Sequence, residues 1–147
     1  PEMGLVQETA KCGTTLVAFS PVGRSLLTNN PHSFQKSQTM DFLRENPRFQ
    51  KLNLTQNIKA TEGFRNLASE IGTNASSLAI AWLLHQGEHI LPIPGTRSTA
   101  HLEELAAGAS LKLSDEILIS IDRLLPIGWA HGDRYSVAQW VGPEKYC

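Results

Sequence analysis

The stretch Ile90-Leu91-Pro92-Ile93-Pro94-Gly95-Thr96-Arg97-Ser98 decides how this chain is read. An apolar run breaks at Pro94-Gly95 and turns polar and basic at Thr96-Arg97. It then enters residues 99–109, where Leu102, Leu105, Ala106 and Ala109 recur at helical spacing. Strand, tight turn, cation and helix start, in that order, build an anion site. The first turn of a helix leaves backbone N–H groups unpaired at the positive end of its dipole, and Arg97 adds a full charge beside them. A phosphate-bearing ligand is the expectation.

On the N-terminal side of this stretch, Leu78-Ala79-Ile80-Ala81-Trp82-Leu83-Leu84 is apolar almost all round. It predicts a deeply buried helix over 75–86, with Thr73 as its N-cap and Trp82 in the core. Before that, Leu54, Ile58, Thr61, Phe64, Leu67, Ala68 and Ile71 form one helical stripe that stops at Gly72. The beginning of the chain repeats the opening device. A helix over 3–11 ends at Gly13, and Leu16-Val17-Ala18-Phe19 follows as a continuous apolar run suited to a strand buried on both faces. Ser20-Pro21-Val22-Gly23-Arg24-Ser25 then turns the chain, again with an arginine just beyond a strand. Residues 28–53 show no clean period and read as a long surface loop, lid-like in character, with a helical turn over 39–46 ended by Pro47. Beyond the opening stretch, Ser114 caps a last helix with Asp115 and Glu116 in its first turn, and Pro126 stops it. Residues 127–147 form an irregular tail carrying Trp129, Tyr135, Trp140 and Tyr146.

Composition narrows the class. The 147 residues fit one domain, and a formal net charge of -1 provides no bulk field for nucleic acid or a membrane surface. No apolar run approaches the roughly 18 residues of a membrane span, and no signal peptide is read at the start. Cys12 and Cys147 lack metal-ligand spacing and read as free thiols of a cytoplasmic protein. His32, His85, His89 and His131 also lack ligand spacing, so no metal is expected. Pro1 is not an initiator methionine and the first helix reads as already under way, so the sequence reads as a piece of a longer chain. The element order is helix, strand, long loop, two helices, strand, helix, helix, tail. That order implies parallel strands with helical crossovers. Two short parallel strands would leave both outer edges with unpaired backbone groups, so further strands must come from an absent segment, another chain or self-association.

Six stretches in this order and spacing resemble the aldo-keto reductases: Phe19-Ser20-Pro21-Val22-Gly23-Arg24, Asn46-Pro47-Arg48-Phe49, Ala79-Ile80-Ala81-Trp82, Ile93-Pro94-Gly95-Thr96-Arg97, Leu102-Glu103-Glu104 and the tail Gly132-Asp133-Arg134-Tyr135. The resemblance runs over essentially the whole chain. It implies an α/β fold, the C-terminal portion of a (β/α)8 TIM barrel: strands seven and eight, their helices, an extra helix and the tail, incomplete as a barrel alone. It also implies NADPH as cofactor and a small carbonyl compound as substrate. By position, Phe19 matches the aromatic that stacks on the nicotinamide, and Ser20, Pro21, Val22, Gly23 and Arg24 the loop over the pyrophosphate. Ile93, Pro94, Gly95, Thr96 and Arg97 lead into and form the 2′-phosphate site, with His101 and Glu104 beside the adenine and its ribose. Two positions depart from the family's pattern. Leu105 stands where an asparagine is usual, and Ser25 where a glycine is common. The family's catalytic Asp, Tyr, Lys and His have no counterpart here, so no catalytic residue is assigned and the chain alone is expected to be inactive.

Each assignment has a plainer counterpart. Arg97 also suits a solvated arginine paired with Glu104, and Arg24 a brace for the neighbouring loop. Trp129, Tyr135 and Trp140 suit either a substrate pocket or pins for the tail, and Asp133-Arg134 reads as a structural ion pair or cap. The alternative to an enzyme portion is a non-catalytic half-barrel that binds nucleotide or a partner and self-associates.

Overall fold

The computed structural model describes residues 4–140. A short helix α1 (Leu5–Lys11) leads into strand β1 (Leu16–Phe19), whose residues pair in parallel with strand β2 (Ile90–Ile93). The register sets Leu16 opposite Ile90 and Phe19 opposite Ile93. Both strands therefore end side by side, and the turns that follow, at Ser20 and Pro94, leave from the same end of the sheet. His89 ties the other end to α1, its Nε2 lying 3.0 Å from the Val6 carbonyl and 3.1 Å from Thr9 Oγ1.

Between the strands lie α2 (Phe34–Gln38), α3 (Asp41–Arg44), a 3-10 turn at Pro47–Phe49, α4 (Lys51–Ala60), α5 (Glu62–Glu70) and α6 (Ala75–His85). After β2 come α7 (Thr99–Ala107), α8 (Asp115–Leu124) and a 3-10 turn at Val137–Gln139. The main core gathers Phe64 and Ala68 of α5, Ala75, Leu78 and Ala79 of α6, and Ile121 of α8. Helices α6 and α7 approach closely at Gly108, where a Cβ would lie 2.5 Å from the Ser77 carbonyl oxygen. Only a residue without a side chain leaves that room.

Several expectations from the sequence are corrected. The stripe through 54–71 is two helices that meet at Thr61. The Thr61 hydroxyl donates to the Asn57 and Ile58 carbonyls there, and Arg65 donates to the Thr61 hydroxyl, so the break has its own partners. The segment 28–53 is no open excursion. Its Leu43 and Phe49 are buried with Leu26 and Leu54 in a second cluster, and Asn46 is fully buried. The cap of α6 is Asn74, not Thr73, and the first helical N–H is met from outside, by Asn29 Oδ1 at 2.8 Å from the Ala75 nitrogen. Helix α7 stops at Ala107, two residues short of the expected end, with Gly108 as its C-cap. Trp82 is only partly buried, at the rim of the main core. The sheet is covered on one face only. Val17, Phe19, Leu91 and Ile93 alternate to the other face and are 48–52% exposed. The expected start of the first helix at Met3, together with Cys147, Tyr146 and Lys145, lies outside the described residues.

Candidate functional site

The 3-10 turn at Gly23–Ser25 and the strand ends build the site from an unusual backbone. Within six residues, Ser20 (φ 53°), Gly23 (φ 58°), Arg24 (φ 55°) and Ser25 (φ 87°) all lie in the left-handed region. For the three that carry a Cβ this costs about 1 kcal/mol each. The fold holds them with local bonds: the Gly23 N–H donates to the Ser20 carbonyl at 2.9 Å, and the His32 N–H to Ser25 Oγ at 3.0 Å. Ser25, which departs from the family's common glycine, is thus both strained and bonded.

The turn after β1 and the turn after β2 face one cavity of about 510 Å³. Val22, Arg24 and Ser25 line it from one side, Gly95, Thr96, His101, Glu104 and Leu105 from the other. Residues of 28–43 close it, so the segment expected to be lid-like does form a wall. That wall is fastened to α6, because Asn29 Nδ2 donates to Asn74 Oδ1 at 2.9 Å while Asn29 Oδ1 accepts from Ala75. At the start of α7, Ser98 Oγ caps the helix by accepting from the His101 N–H, and Thr96 Oγ1 accepts from the Ser98 N–H. Glu104 is turned toward α6, where Ser76 Oγ donates to its Oε2 at 3.2 Å. Among the described residues Arg97 makes no ion pair and is exposed, so the plainer pairing of Arg97 with Glu104 is not formed. Leu105 is buried and presents an apolar surface to the same cavity.

A smaller cavity of about 260 Å³ adjoins it across Arg24, which lines both. Phe19, Ser20, Gly23, Arg48, Phe49 and Arg134 complete its lining. The Arg24 guanidinium carbon lies 4.4 Å from the Phe42 ring centre and 5.1 Å from that of Tyr135. Burial, the largest cause, pushes its pKa down. Arg24 thus braces α3 and the tail, through Phe42, Tyr135 and the Arg134 carbonyl, while still facing both cavities. Phe19, half-exposed at the strand end, carries the Arg134 guanidinium 4.8 Å from its ring centre. The Asp133-Arg134 ion pair read from the sequence is absent among the described residues; Arg134 stacks on Phe19 and Tyr135 instead.

The aromatic tail residues divide. Tyr135 is buried, edge-on to Phe42 and Trp140 at 6.1 and 5.0 Å, and pins the tail. Trp129 packs on the second apolar cluster and also lines open space beside α6 and α8. Ile93 ends β2 with its side chain on the exposed sheet face, Pro94 is half-buried behind it, and Pro21 is buried below the first turn. The residues missed from sequence are the buried asparagines. Asn46 and Asn57 fasten the tail, Asn46 Nδ2 donating to the Arg134 carbonyl at 2.8 Å and Asn57 Nδ2 to that of His131 at 3.0 Å. Their signal was present: Asn57 interrupts the apolar stripe between Leu54 and Ile58. No group of three or more metal-ligating side chains occurs among the described residues. No helix there is long and apolar enough to cross a membrane.

Two parallel strands with helical crossovers, and a divided cleft at the ends of the strands, make this an α/β chain. The aldo/keto reductase family model matches residues 2–126, and the chain belongs to that family. It is 34% identical to the aldo-keto reductase yakc [NADP(+)] of Schizosaccharomyces pombe over 92% of this chain and 40% of that protein. It is 31% identical to aldo-keto reductase str7 of Strobilurus tenacellus, over 91% of this chain and again 40% of the relative. The chain thus spans about two fifths of the length of these curated relatives. Among solved structures, a thermostable aldo-keto reductase, Tm1743, in complex with the inhibitor epalrestat matches over 82% of this chain and 33% of its own, at 26% identity and a TM-score of 0.56. The glycerol dehydrogenase AKR11B4 from Gluconobacter oxydans shares the fold at 23% identity and a TM-score of 0.66, over 84% of this chain and 38% of its own.

Proposed function

We propose that this chain is the cofactor-binding portion of an NADPH-dependent aldo-keto reductase, contributing strands seven and eight of the barrel. The observation that carries the reading is the shared cavity of about 510 Å³, which joins Val22 and Arg24 of the turn after β1 to Gly95 and Thr96 of the turn after β2 and to His101 and Glu104 of α7, beyond the paired strand ends. The donors at and beside it fit a phosphorylated nucleotide: the Thr96 hydroxyl and His101 at the start of α7 line the cavity, while Arg97, exposed and without an ion pair among the described residues, does not line it but follows Thr96 directly. Arg97, with Gly95 and Thr96, holds the 2′-phosphate. His101 and Glu104 flank the adenosine, with Leu105 giving an apolar contact where an amide is usual. Ser20, Pro21, Val22, Gly23 and Arg24 lie along the pyrophosphate, and Phe19 with Ile93 borders the nicotinamide. When bound, the reduced nicotinamide supplies a hydride to a carbonyl carbon; the residues of this chain bind and orient it.

The acid and base groups of the reaction lie outside this chain in this reading, which leaves it inactive alone. In support, the described tyrosine, Tyr135, is buried between Phe42 and Trp140 and lines neither cavity. The remainder of the barrel covers Val17, Phe19, Leu91 and Ile93. An exposed thiol at Cys12 suits a cytoplasmic location.

Fluorescence titration of NADPH and NADH tests the cofactor assignment. An arginine–phosphate pair contributes about 1.5–3 kcal/mol, so Arg97→Ala weakens NADPH at least tenfold and leaves NADH unchanged. Equal losses for both nucleotides, or none, overturn the role of Arg97. A second reading follows from the same exposed sheet face: the chain self-associates and covers it with another copy. A monodisperse dimer in sedimentation that Leu91→Asp dissociates supports that reading, and a monomer removes it.

A further inference from the structure

The smaller cavity collects three guanidiniums from three distant segments: Arg24 from the turn after β1, Arg48 from the Pro47–Phe49 turn, and Arg134 from the tail. None makes an ion pair among the described residues, whereas Arg44, outside the cavity, has both Asp41 and Glu45 within reach. Arg24 and Arg48 are held by backbone carbonyls, and the Arg134 guanidinium by the Phe19 and Tyr135 rings, rather than by carboxylates. Arg48 Nε donates to the Gly132 carbonyl at 3.3 Å, Arg24 Nη1 to the Arg134 carbonyl at 3.4 Å, and Asn46 Nδ2 to that same carbonyl at 2.8 Å. Gly132, at φ 86°, lets the tail pass so close to Pro47 that a Cβ there would lie 2.9 Å from its carbonyl oxygen. Burial, then the fields of Arg134 and Arg24, push the Arg48 pKa down, with Asp133 as the opposing carboxylate. Like charges gathered in this way, with most of their N–H donors free, are costly unless an anion joins them. At about 260 Å³ the space suits a phosphate- or carboxylate-sized group.

We propose that Arg24, Arg48 and Arg134 form an oxyanion-binding site, distinct from the Arg97 site, that takes the phosphate or carboxylate oxygens of a small ligand. The guanidinium fork matches such oxygens through paired hydrogen bonds, and Phe19 forms an apolar wall beside them. Two sources present this chemistry: the diphosphate bridge of a dinucleotide, which rests on the cofactor reading above that already sets Arg24 along that bridge and adds Arg48 and Arg134 to it, or an acidic group on a carbonyl substrate.

Calorimetric titration of the full chain with inorganic pyrophosphate tests the site. Saturable binding is expected, weakened at least tenfold by Arg134→Gln, whose exposed side chain makes no described hydrogen bond, and by Arg48→Gln. Absence of saturable binding, or equal affinity in wild type and Arg134→Gln with an unaltered melting profile, overturns the proposal. Repeating the titration with saturating NADPH separates the sources: loss of pyrophosphate binding assigns the site to the dinucleotide's own bridge, and retention assigns it to an acidic substrate group. Pyrophosphate binding without NADPH binding would remove the cofactor reading above and leave this site standing.

Discussion

Replacing Asn57 with alanine should release the tail while leaving the main core folded. Asn57 is fully buried in α4, and its side chain joins three segments. Nδ2 donates to the carbonyls of Arg48 and His131, each at 3.0 Å, and Oδ1 accepts the His131 N–H at 2.7 Å. Truncation removes all three bonds and strands three backbone groups. At about 1 kcal/mol net for each, the loss is about 3 kcal/mol. Leucine would not rescue it, because the stranded partners are backbone groups that only a polar side chain satisfies.

Hydrogen exchange separates a local from a global effect. Tail peptides spanning 129–140 should exchange roughly a hundredfold faster in Asn57→Ala, since 1.4 kcal/mol corresponds to a factor of about ten. Amides of α6 between Leu78 and Ala81 belong to the main core and should keep their protection. The neighbouring Asn53→Ala removes one bond, to the Pro47 carbonyl at 2.8 Å, and should cost about 1 kcal/mol. If tail and α6 accelerate together, Asn57 is an ordinary core residue and the reasoning fails. Unchanged tail exchange refutes it equally.

Other perturbations have equally definite outcomes. Gly132→Ala combines φ 86° with a Cβ placed 2.6 Å from Asn53 Nδ2, so the urea midpoint should fall by the equivalent of more than about 2 kcal/mol, and an unchanged midpoint would show that the tail does not pass there. Gly108→Ala would set a Cβ 2.5 Å from the Ser77 carbonyl oxygen, forcing α7 off α6 at a cost of about 1–3 kcal/mol, also read from the urea midpoint. Burial, then Lys36, hold the His32 imidazole below its ordinary value. The folded chain therefore takes up this proton later than the unfolded one, and stability declines as pH falls below about 6.5 until the folded pKa is passed. His32→Gln should flatten that part of the urea-midpoint profile between about pH 7.5 and 5; an identical slope would exclude His32 as a source.

Both strands were legible to the residue because their apolar runs are short and sharply punctuated by Gly, Pro and Ser. The buried helix α6 was equally plain from its composition. What escaped depends on partners far along the chain. The break at Thr61 lies inside a stripe that keeps helical spacing from Leu54 to Ile71, and α2 and α3, of 5 and 4 residues, are too short to display a period. Strand burial was overestimated because an apolar run states an appetite for contact, while the contacts for Val17 and Leu91 are not made by this chain's described residues. At the site, the two turns were visible as strand-to-arginine junctions, and the parallel register brought them together. Arg48 and Arg134 could not be joined to them from sequence, since their meeting depends on Asn46, Asn57 and Gly132 holding the tail.

The strained turn explains why one arginine can serve two spaces. Ser20, Arg24 and Ser25 sit in the left-handed region although each carries a Cβ, and backbone in that state persists only where its surroundings fix it. Here the fixing contacts converge on Arg24: Phe42 and Tyr135 against its guanidinium, the Arg134 carbonyl on Nη1, and the Ser25–His32 bond just after it. A relaxed turn would free the side chain and merge the two cavities into one open trough. Held as it is, Arg24 forms a charged partition between a larger space beside the Arg97 helix start and a smaller one beside Phe19. Such a partition suits a ligand that is extended, with negative charge near its middle as well as at one end. The backbone strain is thus tied to ligand shape through one side chain, and loosening the tail at Asn57 should blur that partition before it unfolds the core.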